Sequence, residues 1–172
     1  MRQSGEAASG RSLSMATTHK KVIVRKMDRD SVSGFVGAEF IADGKLEMMN
    51  TAGNVVAIEL QDVKGVYFVR ELGEGESLTR KTFTSRPRME GLWVRLRFRD
   101  NELIEGLMPN DLLQEGGAGF SIIPPDTHSN TQRIFVPRSA LAELTVIGVI
   151  GEKKPGRRGR RPEDTRQATM FT

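Results

Sequence analysis

The chain contains no cysteine, although it is 172 residues long. Disulfide bonds and thiolate metal sites are therefore excluded. Its two histidines, His19 and His128, have none of the His-x-x-His or His-x-Glu spacings that indicate a metal site. No serine lies in a Gly-x-Ser-x-Gly motif, and the glycine-rich run 116–119 lacks a following Gly-Lys-Ser or Gly-Lys-Thr. These absences predict a protein that is not an enzyme and that needs no cofactor.

Long apolar runs are also missing. No stretch approaches the ~18 consecutive apolar residues of a membrane helix. Residues 1–20 contain no apolar segment of the kind that a signal peptide requires. The sequence therefore predicts a cytoplasmic protein without membrane association, and it does not indicate an oligomeric state. Met15 is an alternative start codon to Met1.

Positive charge is concentrated at the two ends of the chain. Residues 1–21 hold four Lys or Arg and one Glu, and residues 151–172 hold seven Lys or Arg and three acids. The intervening residues 22–150 hold fifteen basic and eighteen acidic side chains, a net charge of −3. Attraction to nucleic acid is therefore predicted to come mainly from the tails. The basic residues of the C-terminal tail include Lys153, Lys154, Arg157, Arg158, Arg160 and Arg161.

An internal repeat organises the rest of the chain. Five positions recur 72 residues later: Val22, Val24, Asp28, Val32 and Gly34 correspond to Val94, Leu96, Asp100, Ile104 and Gly106. Four more recur 78 residues later: Ile58, Val63, Val66 and Phe68 correspond to Val136, Leu141, Leu144 and Val146. The difference of six residues indicates an insertion in the middle of the second copy.

Each copy contains five short runs of alternating apolar and polar residues, separated by turn signals such as Asp43-Gly44. Five strands in about fifty residues, without a long helix, predict a small twisted β-barrel. Gly34 is predicted to mark a bend or a close backbone approach. The side chains predicted to be buried are Val22, Val24, Val32, Ile58, Val66, Phe68, Val94, Leu96, Ile104, Phe120, Phe135, Val136 and Leu144.

The predicted organisation has five parts. Residues 1–20 form a disordered tail, 21–70 the first barrel, 71–91 a linker, 92–150 the second barrel, and 151–172 a disordered basic tail. A short edge strand is predicted within the linker, over Thr82–Thr84. A barrel of this size buries too little surface to be stable alone, so the two barrels are predicted to pack together.

The start of the second copy resembles the first motif of the Sm-like fold. It runs Val94-Arg-Leu-Arg-Phe-Arg-Asp100-Asn101 and then Glu105-Gly106. The chain also resembles an uncharacterised bacterial domain family that is sometimes found beside PilZ-type signalling modules. That second resemblance rests on Tyr67-Phe68-Val69-Arg70, Gly119-Phe120, Pro124, Asp126, Ser129-Asn130, Arg133, Phe135-Val136 and Ala140. The two resemblances cover most of 22–150 and imply two tandem Sm/SH3-like barrels in an all-β protein.

Two departures limit what the resemblance implies. Neither copy contains the Arg-Gly pair of RNA-binding Sm proteins, so their RNA-binding residues do not carry over. The cyclic-dinucleotide signature of PilZ modules is not met either. Arg25 and Arg29 have its arginine spacing, but Arg29 also stands where that signature needs an acid or Asn.

A local basic patch lies between the two copies and at the start of the second. It comprises Arg80, Lys81, Arg86, Arg88, Arg95, Arg97 and Arg99. Arginines two positions apart on a strand share one face, which is suited to contact with phosphate. The alternative, which the sequence favours, is the solvated face of an edge strand, where charge opposes aggregation. Glu102 and Glu105 are likewise interpreted as part of a solvated strand face.

The C-terminus resembles the short peptides with which bacterial proteins dock on the DNA sliding clamp. Gln167, Met170 and Phe171 supply an amide and two apolar anchors at the end of a flexible segment. The leading functional hypothesis is a cytoplasmic adaptor or regulatory module that binds protein partners. The alternative is an RNA- or DNA-binding protein that uses the tails and the basic patch.

Overall fold

A computed structural model describes residues 18–73, 78, 80–111, 113 and 117–151. Within these residues the chain forms eleven strands and two short 3₁₀ helices, and no α-helix. The strands of the first copy are β1 Lys20–Lys26, β2 Ser31–Val36, β3 Ile41–Ala42, β4 Lys45–Asn50, β5 Val55–Glu59 and β6 Val63–Val69. Those of the second are β7 Gly91–Phe98, β8 Leu103–Met108, β9 Gly119–Ile122, β10 Thr131–Pro137 and β11 Leu141–Ile150. The all-β prediction is confirmed.

The strands form two antiparallel sheets rather than two closed barrels. The larger sheet has the order β3-β4-β2-β1-β6-β10-β9, with β5 paired to β4, and the smaller has the order β11-β7-β8. The prediction of two five-stranded barrels that pack together is therefore met in its all-β character, but the described residues form no closed barrel. The physical reason is that β10 of the second copy pairs with β6 of the first, so that the two copies share one sheet.

Hydrogen bonds reproduce both offsets of the repeat. The Met27 amide donates to the Asp62 carbonyl at 2.8 Å, and the Arg99 amide donates to the Ala140 carbonyl at 3.0 Å. The two donors are 72 positions apart and the two acceptors 78. The 3₁₀ helices Leu60–Asp62 and Arg138–Ala140 also differ by 78 positions. The sequence repeat is therefore a structural repeat, and the insertion precedes the second 3₁₀ helix.

The repeated glycine lies where a neighbouring strand leaves no room for a side chain. A Cβ atom at Gly34 would overlap the Met49 carbonyl oxygen. A Cβ atom at Gly106 would lie 2.8 Å from Ile122 Cδ1 and 3.0 Å from the Ile123 carbonyl oxygen. The close backbone approach predicted at Gly34 is therefore confirmed, and the repeated glycine, Gly106, is equally confined.

The shared sheet carries a hydrophobic core on each of its faces, because alternate residues of a strand point to opposite sides. Val22 and Val66 belong to the core of the first copy. Ile23 and Tyr67, the next residue along each strand, belong to the core of the second copy. In the opposite direction, Phe135 of β10 packs against the core of the first copy. Each core is therefore completed by side chains from the other copy.

Most of the predicted core is buried. The buried members are Val22, Val24, Ile58, Val66, Phe68, Val94, Leu96, Ile104 and Val136. Val32, Phe120, Phe135 and Leu144 are half-buried and pack against the edges of the two cores. The aromatic contact between Phe40 and Phe135, with ring centroids 5.5 Å apart, joins β10 to the first copy.

The segment 80–90 contains no strand, so the prediction of an edge strand over Thr82–Thr84 is wrong. The Glu105 amide donates to the Lys81 carbonyl at 2.7 Å, and the Phe83 amide donates to the Glu105 carboxylate. The segment is thus held by one residue of β8 instead of by a ladder of backbone hydrogen bonds. No helix in the described part of the chain has the length and apolar character to cross a membrane.

Candidate functional site

Arg95 and Arg97 of β7 form ion pairs, and Arg99, just after β7, forms a hydrogen bond. Arg95 donates to Glu105 Oε1 from Nη2 at 2.7 Å and from Nε at 3.1 Å. Arg97 Nη2 lies 2.9 Å from Glu143 Oε2 on β11. Arg99 donates to the Gln61 carbonyl oxygen at 3.1 Å. These partners satisfy the charged groups of the strand part of the predicted basic patch.

The remaining residues of the predicted basic patch lie in the irregular segment before β7. Arg80, Arg86 and Arg88 are exposed and line a shallow groove of about 340 Å³. Lys81 Nζ instead lies 2.9 Å from Glu102 Oε1. The structure therefore divides the predicted patch into a part with carboxylate or carbonyl partners and an exposed part.

Glu105 is a buried carboxylate, with only 3% of its side chain exposed. Besides Arg95, it accepts hydrogen bonds from the Trp93 indole at 3.2 Å and from the Phe83 amide at 3.0 Å. Burial raises the pKa of Glu105, but these hydrogen bonds outweigh burial and hold the pKa below its ordinary value. The interpretation of Glu105 as part of a solvated face is wrong. Its position opposite Arg95 in the β7–β8 register places it under the segment 80–90.

A groove of about 960 Å³ lies between the face of β1–β2 that carries Ile23 and the turn after β7. One wall holds Lys64, whose ammonium lies 2.5 Å from Asp100 Oδ2 and also contacts Glu102 Oε2. Only 11% of the Lys64 side chain is exposed. Burial raises the pKa of Glu102, but hydrogen bonds from Lys64 and Lys81 hold it below its ordinary value. The acids of the groove are therefore neutralised by lysines of the same groove.

Replacing Glu102 with Gln is expected to reduce the loss of stability in acid. The folded-state pKa of Glu102 lies below 4.5, the value for the unfolded chain, so the folded protein binds fewer protons there. The stabilisation from ionised Glu102 is present above pH 4.5 and is lost as the pH falls through the lowered pKa. Thermal unfolding midpoints, measured from neutral pH to below pH 4.5, should fall less steeply in Glu102→Gln than in the wild type. Glu59→Gln, which removes an exposed carboxylate 3.6 Å from Lys45, is the control. Equal slopes in Glu102→Gln and the wild type would contradict the expectation.

The outer edge of β11 has no neighbouring strand among the described residues. This strand has ten residues and pairs only with β7 among the described residues. Three of its apolar side chains are exposed: Val146 at 51%, Ile147 at 36% and Val149 at 56%. The equivalent strand of the first copy, β6, is paired on both sides, with β1 and with β10. The strand itself was predicted from the sequence, but its unpaired edge was not.

Several predicted features lie elsewhere. His128 lies in the loop after β9, where its amide donates to Asp126 Oδ1 at 3.0 Å. In the described part of the chain, no group of three or more His, Asp or Glu side chains is arranged to hold a metal ion. The predicted docking peptide, Gln167, Met170 and Phe171, and the tail residues Lys153, Lys154, Arg157, Arg158, Arg160 and Arg161 lie outside the described residues.

Comparison with known proteins gives a match that covers most of the chain. Residues 18–148 match the sequence model of a family of unknown function. No curated protein matches the chain. No solved structure matches it either.

Proposed function

Since this chain belongs to the family of unknown function DUF6982, we propose its function from its own geometry. It is a non-enzymatic protein-interaction module that binds an extended segment of a partner along the outer edge of β11. The observation that carries this proposal is the difference between equivalent strands. In the first copy β6 is paired with a strand on each side. In the second copy β11 is paired on one side only within the described residues.

The composition of β11 supports strand addition. An unpaired strand edge presents a row of backbone donors and acceptors, and proteins usually protect such an edge with Lys, Pro or a very short strand. β11 is ten residues long and contains no Lys, Arg or Pro. Its one charged residue, Glu143, is paired with Arg97. None of these three forms of protection is present along β11, so the edge suits a peptide that adds as a further strand.

The exposed side chains indicate which peptides would bind. Val146 and Val149 present apolar surface beside the open backbone edge. A bound strand gains its affinity from main-chain hydrogen bonds, and its specificity from the side chains that contact this surface. The expected partner segment is therefore extended, rich in β-branched or aromatic residues, and low in charge.

Charged substitutions on β11 are expected to abolish peptide capture. The experiment is a selection of random displayed peptides on the immobilised protein, repeated on a Val146→Lys/Val149→Lys variant. Both side chains are more than half exposed, at 51% and 56%, so the fold should tolerate lysine at these positions. Wild-type protein should enrich peptides with apolar residues at alternate positions, because successive side chains of a strand point to opposite faces. The variant should not enrich them.

The matched control is Leu103→Lys, which adds the same charge at an exposed apolar residue of β8, at the opposite edge of the smaller sheet from β11. This control should select the same peptides as the wild type. Enriched peptides that bind the β11 variant as well as they bind the wild type would contradict the proposal. An enriched set without apolar alternation would also contradict it.

A further inference from the structure

The pairing of β10 with β6 joins the two copies, and the repeat defines an equivalent pairing between two other strands. Within the chain, β10 adds to β6 in antiparallel orientation, with Arg133 opposite Phe68 and Phe135 opposite Val66. Without the two-residue strand β3, each copy has five strands. β10 is then the fourth strand of the second copy, and β6 is the fifth strand of the first copy. The fourth strand of the first copy is β5, and the fifth strand of the second copy is β11.

Both of these equivalent strands lack a second neighbouring strand among the described residues. In the described structure β5 pairs only with β4, and β11 pairs only with β7. Each of the two strands carries an exposed valine. Val55 of β5 is 78% exposed and Val146 of β11 is 51% exposed. Each molecule therefore presents one edge of each type.

The repeat offset also gives the register in which the two edges would meet. Subtracting 78 from Arg133 gives Val55, and adding 78 to Phe68 gives Val146. The pair Arg133–Phe68, in which the guanidinium lies 4.1 Å from the ring centroid, thus corresponds to the pair Val55–Val146. Two exposed valines of these strands thus fall opposite one another, in a position where β-branched pairs stabilise a sheet.

We infer that the strand bound at the edge of β11 is β5 of another molecule of the same protein. The two strands are antiparallel, and Val55 lies opposite Val146. This inference rests on the proposed function, since it names the occupant of the same edge. The contact is heterologous, because it joins two different surfaces. Each added molecule therefore leaves one β5 edge and one β11 edge free, and the assembly is a closed ring or an open filament.

The neighbouring pairs of this register are compatible with the inference. The same arithmetic places Val56 opposite Thr145 and Ala57 opposite Leu144. No charged residue faces a like charge in these three pairs, and such a pairing would be destabilising. The proposed contact is therefore equivalent to the pairing of β10 with β6 that joins the two copies within one chain.

Cysteine cross-linking tests the register directly, because the natural chain contains no cysteine. Full-length Val55→Cys and Val146→Cys proteins are purified separately, mixed and oxidised, and the products are separated on a non-reducing gel. A disulfide forms only when the two Cα atoms come within about 7 Å. The mixture should give a disulfide-linked dimer, whereas each protein alone should give far less.

The matched control replaces Val146→Cys with Val149→Cys, a residue of the same strand that is equally exposed, at 56%. Three residues along a strand amount to about 10 Å, so this pair should not cross-link. Absence of the Val55–Val146 dimer, or equal yields from Val149→Cys, would overturn the inference. Failure of the proposed function would be distinct, because peptide selection at β11 depends on Val146 and Val149 and not on Val55. If peptides are still selected at β11 while the Val55–Val146 cross-link is absent, only β5 of another molecule is excluded as the strand bound there.

Discussion

Expressed separately, the two copies should fail to fold. Residues 18–73 would lack Phe135, which packs against the first core and contacts Phe40. Residues 80–151 would lack Ile23 and Tyr67, which are buried in the second core. Removing one large core side chain costs about 2–5 kcal/mol. Because a domain of this size has only about 5–15 kcal/mol of stability in total, each half is expected to be unfolded.

Circular dichroism and heat or denaturant titration of the two halves would check this expectation. Each half alone should show no cooperative transition, and an equimolar mixture should regain β structure as β6 and β10 pair. The full-length chain is the control, and it should unfold in one cooperative step. A cooperative transition in either half alone would show that its core is complete without the other copy.

Replacing Glu105 with Ala should destabilise the protein by about 3 kcal/mol, because it removes a buried acceptor of several hydrogen bonds. The Trp93 indole and the Phe83 amide would lose their acceptor, and Arg95 would lose its bidentate partner. The segment 80–90 should also loosen around Phe83, since its amide loses the Glu105 carboxylate while the Glu105 amide still donates to the Lys81 carbonyl. Denaturant titration would give the change in the free energy of unfolding, and limited proteolysis would detect the loosened segment.

Glu143→Ala is the matched control for this substitution. It removes another glutamate paired with an arginine of β7, but this side chain is 55% exposed. Exposed ion pairs contribute about 0–1 kcal/mol, so the control should be close to the wild type. If the two variants lost the same stability, burial of Glu105 would not be the source of the effect.

The sequence predicts the elements of this fold better than their partners. The repeat and its turn residues indicate five short strands in each copy, because apolar alternation and turn residues are local signals. They do not show that β10 pairs with β6, since that pairing joins residues more than sixty positions apart. Alternation indicates which residues share a face, and it does not identify the strand on either side. For this reason the sequence predicts an all-β fold with two copies, and it does not predict that the copies share one sheet.

The same limit applies to the candidate sites. Arg95 and Arg97 are visible in the sequence as an alternating pair, but their acidic partners lie on the neighbouring strands β8 and β11. A signal was present, because an acid at position 105 falls opposite Arg95 once the β7–β8 hairpin is paired around its turn. The unpaired edge of β11 has no local signal, since it depends on which strand is missing beside it.

The aromatic residues of the fold provide one intrinsic optical probe for each sheet. The chain contains one tryptophan and one tyrosine. Trp93 lies on β7 of the smaller sheet, in edge-to-face contact with Phe83 at 5.9 Å, and Tyr67 lies on β6 of the larger sheet. Burial raises the pKa of Tyr67 to about 12, above the ordinary value of 10.0, so its phenol stays neutral in alkali until the fold opens. Emission from Trp93 therefore reports on the smaller sheet, and ionisation of Tyr67 in alkali reports on the larger one, in unlabelled protein.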